Sequence, residues 1–270
     1  MAIKEGDFVR LNFTGKIKET DEVFDTTSED IAEEAGILVE NKVYGPIPII
    51  VGGNHLLKAI DDAIIGTEAG DAVHVSVTPE NGFGQRNPNF IQLIPMKEFK
   101  KQGMTPVRGM KITADAGTGK IISVKGGRVK VDFNHELAGK NLEYDVSVVE
   151  VIEDDEEKIK SMIELHYSNP NDDIDKTEID IVDGVANIKL DEMAKFDQQS
   201  YMDITFARFR IAKDIWDNIE EITKVNFVDE FEKREESDDD EDDEKINILS
   251  YINNSSLTFF YNNFNIVFFT

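Results

Sequence analysis

The chain has 270 residues, Lys+Arg 29 against Asp+Glu 55, a formal net charge of -26 at pH 7 and no cysteine. That length leaves room for two or three domains with a real core. So acidic a chain is repelled by nucleic acid phosphates and by anionic membrane surfaces, so neither is expected as a partner, and the lack of cysteine excludes disulfides and thiol chemistry and fits a reducing, cytoplasmic compartment.

The N-terminus, Met1 to Phe13, lacks an apolar h-region, so no secretory signal is expected. From Asp7 to Ile17, Phe8, Arg10, Asn12 and Thr14 interleave with Val9, Leu11, Phe13 and Gly15, the alternation of a strand in an antiparallel sheet. Val23–Thr27 reads as a short strand end, and 28–42 as a loop or short helix. Pro48 to Asp71 is the stretch around which the rest is arranged. A β-branched run, Ile47–Val51, meets a Gly52-Gly53 turn, and Asn54 offers a cap. Leu56, Leu57, Ile60, Ala63 and Ile64 then recur at helical spacing, with Lys58, Asp61 and Asp62 read as a solvated face. Gly66 and Gly70 end the helix before a strand at Ala72–Thr78. On pattern alone this is a core helix of an α+β domain. Pro79–Gln85 follows as a loop in which Gly82 and Gly84 let the backbone bend around Phe83.

Residues 86–137 change character. Phe90–Met96 and Phe99 precede glycine-punctuated hairpins at Gly109–Ala114, Lys120–Val124 and Arg128–Phe133, which predict a small β-rich module. Gly117–Ile121 glances at a phosphate loop but lacks its glycine spacing and its Ser/Thr, so it reads as a hairpin turn. Asn134–Leu142 is a turn, and Glu143–Ile152 alternates as a strand that returns to the first sheet. A module whose two flanks return to one sheet is an insertion into a loop. Beyond an acidic linker at Asp154–Glu157, helical spacing at 156–166, a hairpin about Asp183-Gly184 and a long helical pattern at 201–222 predict a third, α+β domain. Asp229–Lys245 holds twelve acidic and three basic residues and is expected to be disordered. Ile246–Thr270 carries no charge and six asparagines. Its composition resembles translated AT-rich non-coding DNA more than a membrane span, and a natural stop near residue 245 is expected.

Five segments, Val9–Gly15, Val23–Thr27, Val51–Asp71, Pro79–Gln85 and Ala138–Val151, with the insert at 86–137 and its Asn134–Gly139 segment, give the chain its resemblance to the long-type archaeal FKBP family of peptidyl-prolyl cis-trans isomerases and to the related bacterial SlyD proteins. The resemblance implies an α+β fold: an antiparallel sheet wrapped on one helix, an inserted small β-rich "insert-in-flap" chaperone domain and a C-terminal α+β domain. The divisions expected are 1–85 plus 138–153, 86–137, 154–231, and a 232–270 tail. It implies a proline pocket of Phe13, Phe24, Asp25, Leu56, Leu57, Ile60, Phe83 and Tyr144. Leu57 would offer its backbone N–H to the substrate carbonyl, Ile60 would floor the pocket, Phe83 would close a wall, and Asp25 would face the rotating amide. Family members usually carry tyrosine at the positions of Phe13 and Phe83, and short members an aromatic floor at Ile60.

The resemblance also implies binding of unfolded chains by the insert, through Phe90, Met96, Phe99 and neighbouring Ile94, Met104 and Met110, and a homodimer through the C-terminal domain. No cofactor and no metal are expected: His55, His74, His135 and His166 have no ligand spacing. The competing class is a non-catalytic holdase with a vestigial pocket.

Overall fold

The computed structural model describes residues 1–40, 42–114, 117–167, 173–191 and 201–230. The 232–270 tail, with both expectations made of it, lies outside them. In chain order, β1 (Phe8–Ile17), β2 (Glu22–Thr26), α1 (Glu29–Glu34), β3 (Ile47–Ile50), α2 (Lys58–Ile64) and β4 (Ala72–Val77) come first. The insert supplies β5 (Ile91–Pro95), α3 (Met96–Lys101), β6 (Lys111–Ala114), β7 (Gly117–Lys125) and β8 (Arg128–Asp132). Then come β9 (Leu142–Ile152), α4 (Asp155–His166), β10 (Glu178–Val182), β11 (Val185–Lys189), α5 (Tyr201–Asn218) and β12 (Lys224–Phe227).

The first sheet has the order β2-β1-β9-β4, all antiparallel, with β3 on the same edge of β1 as β2. One edge of β1 therefore serves two partners, Phe8–Leu11 pairing β3 and Thr14–Ile17 pairing β2. Strand alternation sends Val9 and Leu11 from β1, Leu142, Tyr144, Val146 and Val148 from β9, and Val75 and Val77 from β4 into one core. Ile60 and Ile64 of α2 complete it. Each such aliphatic side chain contributes about 1.5–3 kcal/mol relative to exposure. The sheet thus wraps one helix, the α+β arrangement expected.

The chain leaves this sheet after β4 and re-enters it at β9. Between them β5-β8-β7-β6 form a separate antiparallel sheet, with Phe99 of α3 on a core of Ile112, Ile121, Val129 and Val131. Gly117–Gly119, read above as a turn, is the start of β7. Gly119 is needed there because an added Cβ would lie 2.7 Å from Val131 Cγ1 and from Phe133 Cδ1. The periodicity reading also missed α3, whose six residues are too few for a repeat to show.

The acidic run at 154–157 is not a linker. Asp154 caps α4 by accepting from the Glu157 N–H at 3.1 Å, and the following acids occupy the first turn, where the helix dipole favours them. The Asp183-Gly184 hairpin forms as read, with both residues at positive φ, and β12 adds to β11 in parallel. Helices α4 and α5 pack through Ile159, Met162, Ile163, Ile211 and Ile215, and that core continues into Phe8, Ile50 and Ile152 of the first sheet. Arg10 of β1 seals the junction with a fork to Glu164 of α4, at 2.9 and 2.5 Å.

Candidate active site

A cleft of about 490 Å³ opens where the concave face of the first sheet meets the N-terminal end of α2. Phe13, Phe24, Asp25, Leu56, Leu57, Ile60, Phe83 and Tyr144 all line it, joined by Asn54, His55, His135 and Leu137. Tyr144 stands between two rings: Phe24 lies edge-on at 5.6 Å between centroids, and Phe13 tilts against it at 6.2 Å. Gly15 makes the Phe24 contact possible. An added Cβ there would sit 2.5 Å from Phe24 Cζ and 2.9 Å from Tyr144 Cε1. Ile60, fully buried, floors the cleft.

Leu57 is the residue on which α2 begins, and its carbonyl accepts from Ile60 N–H at 2.8 Å. Its own N–H has no acceptor among the described residues, so it is free for a ligand carbonyl. The cap suggested for Asn54 is not made: Asn54 sits at φ +59 in the turn before the helix, and α2 has no side-chain cap.

Phe83 is carried by a short 3-10 turn at Pro79–Asn81, closed by Gly84 N–H to the Pro79 carbonyl at 2.7 Å with Gly84 at φ +76. Its ring stacks flat on His135, 4.2 Å between centroids and 2° between planes. His135 Nδ1 in turn accepts from the Leu137 N–H at 3.2 Å. Pocket residues at 83 and 135 thus come from the two ends of the insert and meet over the cleft.

Asp25 is half-exposed. Its Oδ1 accepts from Thr26 N–H at 2.9 Å and from Lys42 Nζ at 3.1 Å. Burial, with the Asp25 charge adding to it, pushes the Tyr144 hydroxyl up to about 12, so it remains a proton donor at any physiological pH. That hydroxyl has no partner among the described residues.

Asp61, read as solvated, is a correction: it is 5% exposed, and its Oδ1 has no partner among the described residues. The helix it sits on turns it under the Gly52-Gly53 loop, where burial pushes its carboxyl up while the Gly52 N–H holds it down. Beside it, burial pushes the His55 imidazole down, with nearby His166 adding to the effect and the Asp214 and Asp61 charges opposing it. His55 lies 6.3 Å from the His166 ring, which bonds Asp214 of α5, so the C-terminal module reaches the mouth of the cleft.

In the insert, Phe99 is also a correction. At 3% exposure it is the keystone of the module's own core and presents no surface to a client. Met96, with Ile94, Met104 and Met110, is half-buried against that core, whereas Phe90 is 52% exposed. Leu93 and Val107, not singled out from the sequence, are 59% and 57% exposed. Asn54, His55, His135 and Leu137 were likewise missed as pocket residues, although all four lie within the Val51–Asp71 and Asn134–Gly139 segments that carry the resemblance.

A larger hollow, about 760 Å³, lies over Asn12, Thr14, His74 and Asp145. Its lining mixes the exposed His74 and Asp145 with the buried Val146, and it lacks the ring cluster of Phe24, Phe83 and Tyr144 that walls the cleft. Among the described residues no group of three or more His, Asp or Glu is placed to hold a metal ion, and no helix is long and apolar enough to cross a membrane.

Known proteins match along the same lines. The family model for FKBP-type peptidyl-prolyl cis-trans isomerases matches residues 1–100, that for the FKBP26 IF domain residues 92–137, and that for the FKBP26 C-terminal region residues 155–232. A short-type peptidyl-prolyl cis-trans isomerase of Methanocaldococcus jannaschii is 40% identical over 150 residues, covering 55% of this chain and 94% of the relative. A probable FKBP-type 16 kDa isomerase of Pseudomonas fluorescens is 35% identical over 109 residues, 39% of this chain and 73% of the relative. The SlyD isomerase of Yersinia pestis is 33% identical over 149 residues, 53% of this chain and 76% of the relative.

Proposed function

The chain belongs to the FKBP-type peptidyl-prolyl cis-trans isomerase family and is an isomerase of that type; from this premise we propose that it speeds protein folding by turning X–Pro bonds in the cleft while the insert holds unfolded clients. The observation that carries the reading is the convergence of Phe13, Phe24, Phe83 and Tyr144 over Ile60, with the unsatisfied Leu57 N–H at the rim.

The chemistry needs no nucleophile. Rotation about X–Pro breaks amide resonance against a barrier of ~18–20 kcal/mol. The planar amide is dipolar and well solvated by water, and the twisted amide less so. An apolar cage therefore disfavours the planar state relative to the twisted one. The proline ring seats on Ile60 between the aromatic walls, the Leu57 N–H fixes the carbonyl beside it, and the preceding carbonyl turns past Asp25. A barrier lower by about 4 kcal/mol accelerates the exchange roughly a thousandfold. Phe83 in place of tyrosine removes one donor to bound substrate, roughly 1 kcal/mol of net hydrogen bonding.

For client holding, the supporting features are the apolar side chains Phe90, Leu93 and Val107, each more than half exposed on a module with a core of its own. We place the protein in the cytoplasm, as its cysteine-free composition fits a reducing compartment. We also assign it a homodimer through α5, whose exposed Met202, Phe206, Phe209 and Trp216 follow a three-and-four spacing along one stripe.

Two substrates test the division of labour. Asp25→Ala and Phe83→Ala are expected to lower kcat/KM on a prolyl tetrapeptide by tenfold or so while the fold survives; unchanged rates for both remove the site. Deleting 87–136 is expected to spare the tetrapeptide and depress catalysis of a refolding protein. Equal loss on both substrates refutes the client-holding role.

A further inference from the structure

The insert is charged oppositely to the rest of the chain. Residues 86–137 hold ten Lys/Arg and four Asp/Glu, a net charge of +6, which leaves -32 on the remaining residues. The cations are not scattered. In the insert's sheet the register places Lys125 opposite Arg128, Ser123 opposite Lys130, and Lys111 opposite Lys120. Paired residues share a face, and Val129 and Val131 point to the other side, into the core. One outer face therefore carries Lys111, Lys120, Lys125, Arg128 and Lys130.

Like charges directly across a ladder weaken it. Glu136 relieves one of these oppositions, bonding Lys120 at 2.7 Å and Lys111 at 3.4 Å. No described residue relieves the other: Lys125, Arg128 and Lys130 have no carboxylate within ion-pair distance among the described residues. Beside this cationic row stands the exposed Leu93, directly opposite Lys130.

We propose that this face is a docking surface for acidic, leucine- and aromatic-bearing segments of unfolded protein, so that the insert selects clients by charge as well as by apolar content. The proposal rests on the client-holding role of the insert and names its partner class. A row of uncompensated cations against an apolar side chain is complementary to a strand or loop in which Asp or Glu alternates with apolar residues. Electrostatic complementarity of this kind sets encounter rate and partner choice. Of this face, Lys111 and Lys120 share a hollow with His135, whereas Lys125 and Arg128 flank the turn at the other end of the β7–β8 hairpin. Nucleic acid fits less well, because an unbroken row of phosphates meets repulsion from a chain that is acidic outside the insert.

The test uses the full chain and three fluorescent unfolded peptides of one length and one apolar core, flanked by Glu, by Gln or by Lys, with a single-stranded oligonucleotide of matched charge. Anisotropy at about 0.05 M salt is expected to rank the acidic peptide about tenfold tighter than the neutral one and the basic peptide weakest, with the preference collapsing near 0.5 M. The triple variant Lys125→Gln/Arg128→Gln/Lys130→Gln is expected to lose the acidic preference and keep the neutral peptide's affinity. Its melting temperature is expected not to fall, since an opposed pair is removed. Lys130→Gln alone, one exposed change, carries the same test if the triple variant misfolds. Equal binding of acidic and neutral peptides overturns charge selection and leaves client holding standing. No binding of any peptide overturns both, and an oligonucleotide bound more tightly than the acidic peptide overturns the proposal in favour of nucleic acid.

Discussion

Asp61 shows how one side chain departs from its surface pattern. Its position on α2 is polar by sequence spacing, yet the Gly52-Gly53 turn folds over it and leaves Oδ1 unpaired. A carboxyl pushed up by burial contributes its stability below the carboxylate's unfolded value, and loses it as pH rises through the raised folded one. Asp61→Asn is therefore expected to stabilise the protein at pH 7 by about 1 kcal/mol, with the gain shrinking toward pH 4. Urea unfolding at the two pH values measures this, and a variant less stable at neutral pH contradicts it. Gly15 makes the complementary point. Hydrogen in place of a methyl group is what lets Phe24 and Tyr144 close on β1.

Among the elements, the return segment of the insert ties that module to the cleft. Asn134 ties both crossing strands, accepting from the Asn87 N–H at 2.8 Å and donating to the Asn87 carbonyl at 3.0 Å, and Arg86 pairs with Asp132 beside it. One residue on, His135 stacks against Phe83. Such a stack is worth about 0.5–1.5 kcal/mol beyond area burial, enough to set where the Phe83 ring rests over the cleft. His135→Ala and His135→Asn are expected to lower kcat/KM on a tetrapeptide severalfold, the loss falling mainly on kcat. His135→Phe, which keeps the flat ring, is expected to restore it. A phenylalanine variant as slow as the alanine one shows that stacking does not position Phe83.

For the whole molecule, the question is what the C-terminal module adds. It shares a core with the first sheet through Phe8, Ile50 and Ile152, and brings His166 beside His55. Its long helix buries Ile211 and Ile215 on one side and exposes Phe206 and Phe209 on another. The proposed homodimer would cover it with the same stripe of a second copy, in self-complementary packing. Light scattering at micromolar concentration is expected to give the native chain about twice 30.5 kDa, and Phe206→Ser/Phe209→Ser the monomer mass, since removing two such anchors costs roughly 3–6 kcal/mol per protomer. A native monomer rejects the dimer.

Strand alternation in β1 and β9, the helical repeat of α2, the Asp183-Gly184 turn and the resemblance through Phe13 to Tyr144 were all legible in the linear chain, because each is a local periodicity or a run of neighbouring residues. The residues it hid became functional or buried through contacts distant in sequence. Asp61 lies under a loop, Phe99 inside a core closed by β7 and β8, His135 on a ring 52 positions earlier, and the cations of the insert in register across three strands. Charge summed along the chain gives one acidic number. Counting by segment already separates a basic insert from an acidic remainder; only strand pairing, which fixes which side chains share a face, gathers five of the insert's cations onto one side of a sheet.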